Sequence, residues 1–158
     1  MASIAPRQLD RAVELGIDAT YRMERGRLRE DIAALMDRTG GIGYDYVVDA
    51  TGVATVQEAA MDLARSGASI LWYGVAHEDA RVAVSPYDVF RRELTIRGSF
   101  AEIDTVPAAV AALRGGRIRT DGLITHRFPL EEYGAALDAL RTGDPDVHKI
   151  VMVPALAG

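Results

Sequence analysis

Tyr44-Asp45-Tyr46-Val47-Val48-Asp49-Ala50-Thr51-Gly52, residues 44–52, reads as a strand rich in β-branched and aromatic residues and broken by Gly52. The stretch after Gly52 decides the fold. Thr55-Val56-Gln57-Glu58 has the spacing of a capping box, in which the threonine oxygen takes the amide three residues on and the glutamate reaches back. The helix it opens carries Ala59, Leu63 and Ala64 and is expected to stop at Gly67. Ala68 to Tyr73 is then a nearly continuous apolar run, the pattern of a strand buried on both faces, and Gly74 ends it.

The same alternation extends in both directions. Upstream, Ser3-Ile4-Ala5 is extended and is cut off by Pro6. Leu9, Ala12, Val13 and Gly16 follow helical spacing over Pro6 to Leu15. A short strand is expected around Ala19-Thr20-Tyr21, then a polar helix from Gly26 to Arg38 with Ile32, Leu35 and Met36 inward. Downstream, Ser85-Pro86-Tyr87-Asp88 is a second capping signal, with proline at the first helical position. It leads to a strand at Glu93–Arg97 and a helix at Val106–Arg114 closed by Gly115-Gly116. An extended segment at Leu123–Phe128, a helix at Leu130–Arg141 with Tyr133, Leu137 and Leu140 on one face, and a strand at Ile150–Val153 complete the order. Strands alternating with helices imply an α/β fold, with a mostly parallel sheet and helices on both faces.

Composition narrows the function classes. The 158 residues include no cysteine, which excludes disulfides, a thiolate nucleophile and every cysteine-ligated metal site. The three histidines, His77, His126 and His148, stand far apart, so a His-only metal cluster is not expected, and neither His77 nor His126 has an acidic partner at motif spacing. A chain of this size can bury roughly 68–70% of its unfolded surface, enough for one domain without staples. The net charge of −5 argues against nucleic acid and anionic membrane as partners. No apolar run approaches membrane-spanning length, and the N-terminus lacks the basic flank of a signal peptide. A soluble cytoplasmic protein is the expectation. Of the 18 basic residues only Lys149 is lysine.

In open α/β sheets, ligands sit beyond the carboxyl ends of the strands. Candidate contacts are therefore Ala50-Thr51-Gly52, Gly74-Val75-Ala76 and Gly98-Ser99-Phe100. The other reading is that strand-to-helix junctions use glycine whether or not they bind anything. The dinucleotide fingerprint G-x-G-x-x-G is not found. Gly41-Ile42-Gly43 precedes a strand instead of coming after one, and reads as a turn. Asp45 and Asp49 share a strand face but sit too far apart for an acid–base pair. Arg91-Arg92 and Arg117-x-Arg119 read as solvated.

Val48-Asp49-Ala50-Thr51-Gly52, Ile70-Leu71-Trp72-Tyr73-Gly74-Val75 and Glu93-Leu94-Thr95-Ile96-Arg97-Gly98-Ser99-Phe100 occur in the order seen in zinc-dependent medium-chain alcohol dehydrogenases. Leu123 to Leu130 and His148-Lys149-Ile150-Val151 continue the likeness, and Pro6 to Gly16 resembles that family's second βα unit. The flavour is that of polyol- and threonine-dehydrogenase-like members. The resemblance implies a Rossmann-like fold lacking its first βα unit: residues 1–158 as a partial NAD(P)-binding domain. The family's N-terminal GroES-like catalytic domain, its zinc ligands and the glycine-rich turn are expected to be absent.

The resemblance also implies roles. Ser3 falls where the family often has an acidic ribose ligand. A serine there followed by Arg7 implies tolerance of a 2′-phosphate, and so NADP over NAD. Ala50 and Thr51 match positions beside the adenosine end, Gly74-Val75 and Ser99-Phe100 match backbone contacts to the nicotinamide, and Lys149 matches a position that neutralises cofactor phosphate. Each has a plainer counterpart. Ser3 and Arg7 can be a frayed terminus with a surface arginine, and Lys149 can be a solvated residue at a strand edge. The expected function is the coenzyme-binding portion of an NAD(P)-dependent alcohol dehydrogenase, binding cofactor weakly and not competent alone. The alternative is a non-catalytic association module. Under either reading the open sheet edge is expected to be covered, by a second copy or a separate chain.

Overall fold

The computed structural model describes residues 1–100, 104–143 and 146–154. The chain divides between residues 103 and 104 into two compact units.

The first unit begins with β1 (Ala2–Ser3), α1 (Pro6–Glu14), β2 (Tyr21–Arg22) and α2 (Leu28–Asp37). It continues through β3 (Tyr44–Asp49), α3 (Ala54–Leu63), β4 (Ala64–Trp72), α4 (Pro86–Arg91) and β5 (Thr95–Gly98). Every pairing is parallel. β1 pairs with β2, and β3-β4-β5 form a separate three-stranded sheet with β4 central. The apolar run predicted to be a buried strand is this central strand, and Ile70 within it is fully buried. Ala60, Met61 and Ala64 of α3 and its junction with β4 pack on Ala68, Ile70 and Leu94, with Val47, Val89 and Ile96 around them.

The α/β architecture with mostly parallel strands and helices is as expected. The side chains of β3 that alternate with Val47 are open, Tyr46 being 78% and Val48 59% exposed.

The capping expectations divide. Ser85 caps α4 as predicted: its hydroxyl accepts the Asp88 amide at 3.2 Å, and Pro86 opens the helix. Thr55 does not cap α3. The residue before that helix is Val53, whose carbonyl accepts the Val56 and Gln57 amides, so Thr55 already lies in the first turn. α3 also ends at Leu63, four residues before the predicted stop at Gly67, because Ala64 swings to extended geometry and pairs with Tyr44. The Arg92 guanidinium, expected to be solvated, donates to the carbonyls of Met61 and Ala64 at that helix end. A cation closing the negative end of a helix is favoured there.

The second unit holds α5 (Val106–Arg114), β6 (His126–Pro129), a 3-10 turn (Leu130–Glu132), α6 (Tyr133–Arg141) and β7 (Ile150–Val153), with β6 and β7 parallel. On α6 the buried residue is Ala136, with Leu137 half-buried and Tyr133 and Leu140 exposed. The broad apolar face read there is thus only partly used within the unit. Among the described residues no helix is long and apolar enough to cross a membrane.

Candidate functional site

Asp49, Trp72 and Gly98 stand in register at the carboxyl ends of β3, β4 and β5. The segments leaving those strands therefore lie side by side. Six of the expected site residues are brought to this one sheet end: Ala50, Thr51, Gly74, Val75, Ser99 and Phe100.

A buried carboxylate organises the corner. Asp49 is 4% exposed. Its Oδ1 accepts the Thr51 amide at 2.9 Å and the Thr51 hydroxyl at 2.6 Å, and its Oδ2 accepts the Gly52 amide at 3.1 Å. The Thr51 hydroxyl in turn accepts the Val53 amide at 3.1 Å, which leads the chain into α3. Across the corner, the Asp49 carbonyl accepts the Tyr73 and Gly74 amides, both at 2.8 Å. Burial pushes the Asp49 pKa up. The hydrogen bonds from Thr51, Gly52 and the Gln57 side chain outweigh it and hold the group below its ordinary range.

Gln57 is the second organiser. It is 5% exposed, one turn into α3, and its side-chain amide donates to the Gly74 carbonyl at 3.2 Å. The two loops that Asp49 and Gln57 join touch backbone to backbone. A Cβ at Gly74 would lie 2.2 Å from the Gly52 nitrogen and 2.7 Å from the Thr51 nitrogen. One at Gly52, whose φ is +69°, would lie 2.2 Å from the Val75 carbonyl oxygen. Both glycines are therefore required by loop-on-loop packing, before any ligand is considered. At Gly98 a Cβ would meet nothing within 4 Å.

What the corner presents outward is backbone and apolar surface. Val75 is 85% and Phe100 68% exposed, and Ala50, Thr51 and Ser99 are exposed beside them. The Ser99 amide is bonded to the Trp72 carbonyl at 3.2 Å, which fixes the start of its loop. The polar side chains that build the corner are bonded to one another. It can shape a binding surface and, among the described residues, it holds no nucleophile–base pair.

The remaining expected residues lie elsewhere. Ser3 ends β1, where its hydroxyl donates to Gln8 Oε1 at 2.8 Å and accepts the Ala5 amide at 3.1 Å, so it organises the turn into α1. Arg7 is exposed in the first turn of that helix. Lys149 belongs to the second unit. It is exposed just before β7, with its carbonyl accepting the Thr125 amide at 3.0 Å and its amide donating to the Thr125 hydroxyl at 3.3 Å.

Asp49 and Gln57 were not among the expected site residues. The carboxylate taking the amides two and three residues ahead is an Asx turn, and Asp49 followed by Thr51-Gly52 was its signal. Gln57 had none, because its partner lies 17 residues away. His77, expected to lack an acidic partner, has Asp79 at 3.7 Å in an exposed loop. Asp45 is exposed and paired with Arg65, which holds its carboxyl below the usual range, so it is indeed no partner for Asp49. Among the described residues, no three histidine, aspartate or glutamate side chains gather closely enough to hold a metal ion. The zinc that the resemblance brings would find no donor set among the described residues.

Comparison with known proteins bears on this geometry. Residues 1–114 match the family model described as zinc-binding dehydrogenase. D-arabinitol dehydrogenase 1 of Uromyces fabae is 47% identical over 98 residues, which are 62% of this chain and 28% of that protein. Sorbitol dehydrogenase of Bombyx mori is 30% identical over 143 residues, 90% of this chain and 40% of that one. An alcohol dehydrogenase structure from Thermotoga maritima superposes with a TM-score of 0.76 at 28% identity, covering 97% of this chain and 42% of that one. One from Escherichia coli CFT073, solved with NADH, gives 0.79 at 23% identity over 96% of this chain and 43% of that one, a likeness of fold. The chain thus spans between about a quarter and two fifths of the curated relatives' length.

Proposed function

Because the chain belongs to the zinc-binding dehydrogenase family, we propose that it is the coenzyme-binding portion of an NAD(P)-dependent alcohol or polyol dehydrogenase. The observation that carries this reading is the shared carboxyl end of β3, β4 and β5, where Ala50-Thr51, Gly74-Val75 and Ser99-Phe100 stand adjacent, all but the half-buried Gly74 exposed. That is where open α/β sheets bind ligands. In this reading Ala50 and Thr51 face the adenosine end, while Val75 and Phe100 offer backbone and apolar surface to the nicotinamide. Ser3 and Arg7 favour NADP over NAD, and Lys149 neutralises cofactor phosphate.

These 158 residues carry no G-x-G-x-x-G turn. Such a turn offers amide donors and a helix N-terminus to the pyrophosphate. Hydrogen bonds to charged groups contribute roughly 1.5–3 kcal/mol each. Without two or three of them, binding weakens by about 3–9 kcal/mol, and about 4 already turns micromolar into millimolar affinity. Weak cofactor binding, and no hydride transfer by this chain alone, are the expectation.

Trp72 is the sole tryptophan and lies one strand position before this corner, so its fluorescence reads the site. Titration with NADP and with NAD is expected to give a saturable change, with a dissociation constant from about 100 μM to several millimolar and NADP the tighter. No saturable change up to about 10 mM would overturn the reading, again on the affinity scale used above. The exposed flank of β3 would then favour the association module instead.

A further inference from the structure

Gln57 reaches both loops of the strand-end corner. It lies one turn into α3 and is 5% exposed, and a glutamine amide carries two donor hydrogens. Its side chain donates to the Gly74 carbonyl at 3.2 Å. The same side chain bonds the Asp49 carboxylate and helps to keep it charged. Asp49 in turn takes the Thr51 and Gly52 amides. A buried amide thus links the loop after β3 to the loop after β4.

The link fixes a direction. A peptide unit is planar and trans, so its carbonyl and its amide hydrogen point opposite ways. With the Gly74 carbonyl turned to Gln57, the Val75 amide is turned away from it. Among the described residues that amide has no hydrogen-bond partner. Gly74 has no side chain to stop this peptide from turning over, and the bond from Gln57 selects one of its two faces. The loop after β3 depends on Gln57 far less. There the Asp49 carboxylate takes the Thr51 amide and the Thr51 hydroxyl directly, and the hydroxyl takes the Val53 amide.

We infer that Gln57 is a positioning residue for the cofactor, which presents the Val75 amide to an acceptor oxygen on the nicotinamide half and leaves the adenosine half to the Asp49 corner. The inference rests on the coenzyme-binding reading above. It adds to that reading a buried residue which acts through Gly74 and not by touching the cofactor.

The test compares NAD with ADP, which keeps the adenosine half and both phosphates, by titrating backbone amide shifts of the 158-residue chain. On the unaltered chain NAD should bind at least about threefold tighter than ADP, and should shift the Val75 amide as well as the Thr51 amide. Gln57→Met keeps an unbranched side chain with good helix propensity and removes both donors. It should bring NAD down to the affinity of ADP, with ADP itself unchanged within about twofold. Gln57→Glu has a donor only when protonated. Its preference for NAD over ADP should therefore return as pH falls from about 8 to about 5, beyond any change in the unaltered chain. Should Gln57→Met fail to fold, that pH profile decides alone. A Gln57→Met chain that keeps its preference for NAD would overturn this inference and leave the coenzyme reading standing. So would an equal loss of ADP and NAD binding, or a Gln57→Glu preference that ignores pH. No saturable shift with NAD on the unaltered chain up to about 10 mM would overturn the coenzyme reading, and this inference with it.

Discussion

The two flanks of β3 are built to opposite plans. Toward β4, and at its carboxyl end, the Asp49 carboxylate takes three donors, Gln57 reaches Gly74, and two glycines bring the loops into backbone contact. Away from β4, Tyr46 and Val48 stand in the open with unpaired backbone beside them. Six residues of one strand thus contribute both a tightly bonded corner and an open flank. The difference teaches that the strand-end corner is closed by its own hydrogen bonds, while the flank is open among the described residues.

That contrast can be broken by substitution. The largest effect is expected from Gly74→Ala. Its methyl group meets backbone on the opposing loop, which cannot step aside, and overpacking of that kind costs about 3 kcal/mol. Gly98→Ala, where nothing lies within 4 Å, is the control and should stay within about 0.5 kcal/mol. Urea unfolding midpoints of the two variants measure the gap; equal midpoints would mean that the loops do not touch as described.

Asp49→Ala comes next, at about 2 kcal/mol, because the Thr51 and Gly52 amides lose a charged acceptor. This group also sets a pH dependence. Its folded pKa lies below its unfolded value, so its stabilisation is fully present above about pH 4, the unfolded carboxylate range, and is lost as pH falls through the folded pKa. Asp49→Asn should flatten that part of the acid limb in thermal melts between neutral pH and pH 2. An unaltered limb would show that the carboxylate is not bonded in the folded state.

The smallest effect is expected on the open flank. Tyr46→Thr and Val48→Thr keep β propensity at exposed positions and should each shift stability by no more than about 0.5 kcal/mol. A loss above about 1.5 kcal/mol at either would show that the chain already covers this flank in solution, by self-association or otherwise.

Much of the fold was legible because its signals are local. Proline at the first turn marked α1 and α4, and the glycine pair after Arg114 closed α5 where expected. The central strand announced itself by a run of apolar residues with no polar alternation. Where two local signals competed, the sequence was less informative. Thr55 and Ser85 carry the same capping pattern, yet only Ser85 uses it, because Asp49 and Thr51 already organise the start of α3 from outside the helix. At the corner, position picked out the six residues that do meet. It missed Asp49 and Gln57, whose role depends on a neighbouring loop that is distant along the chain.

The order of strands and helices, the parallel pairing and the placing of loops at strand ends are set by periodicity, turn residues and the handedness of crossovers, all of which act over a few residues. Which edge of β3 is filled, which glycine is held by packing, and which carboxylate is buried and bonded were decided only by tertiary structure. Pairing partners, close approach and burial are properties of groups brought together from separate parts of the chain. No local pattern encodes how much of a strand's second edge will be left without a partner.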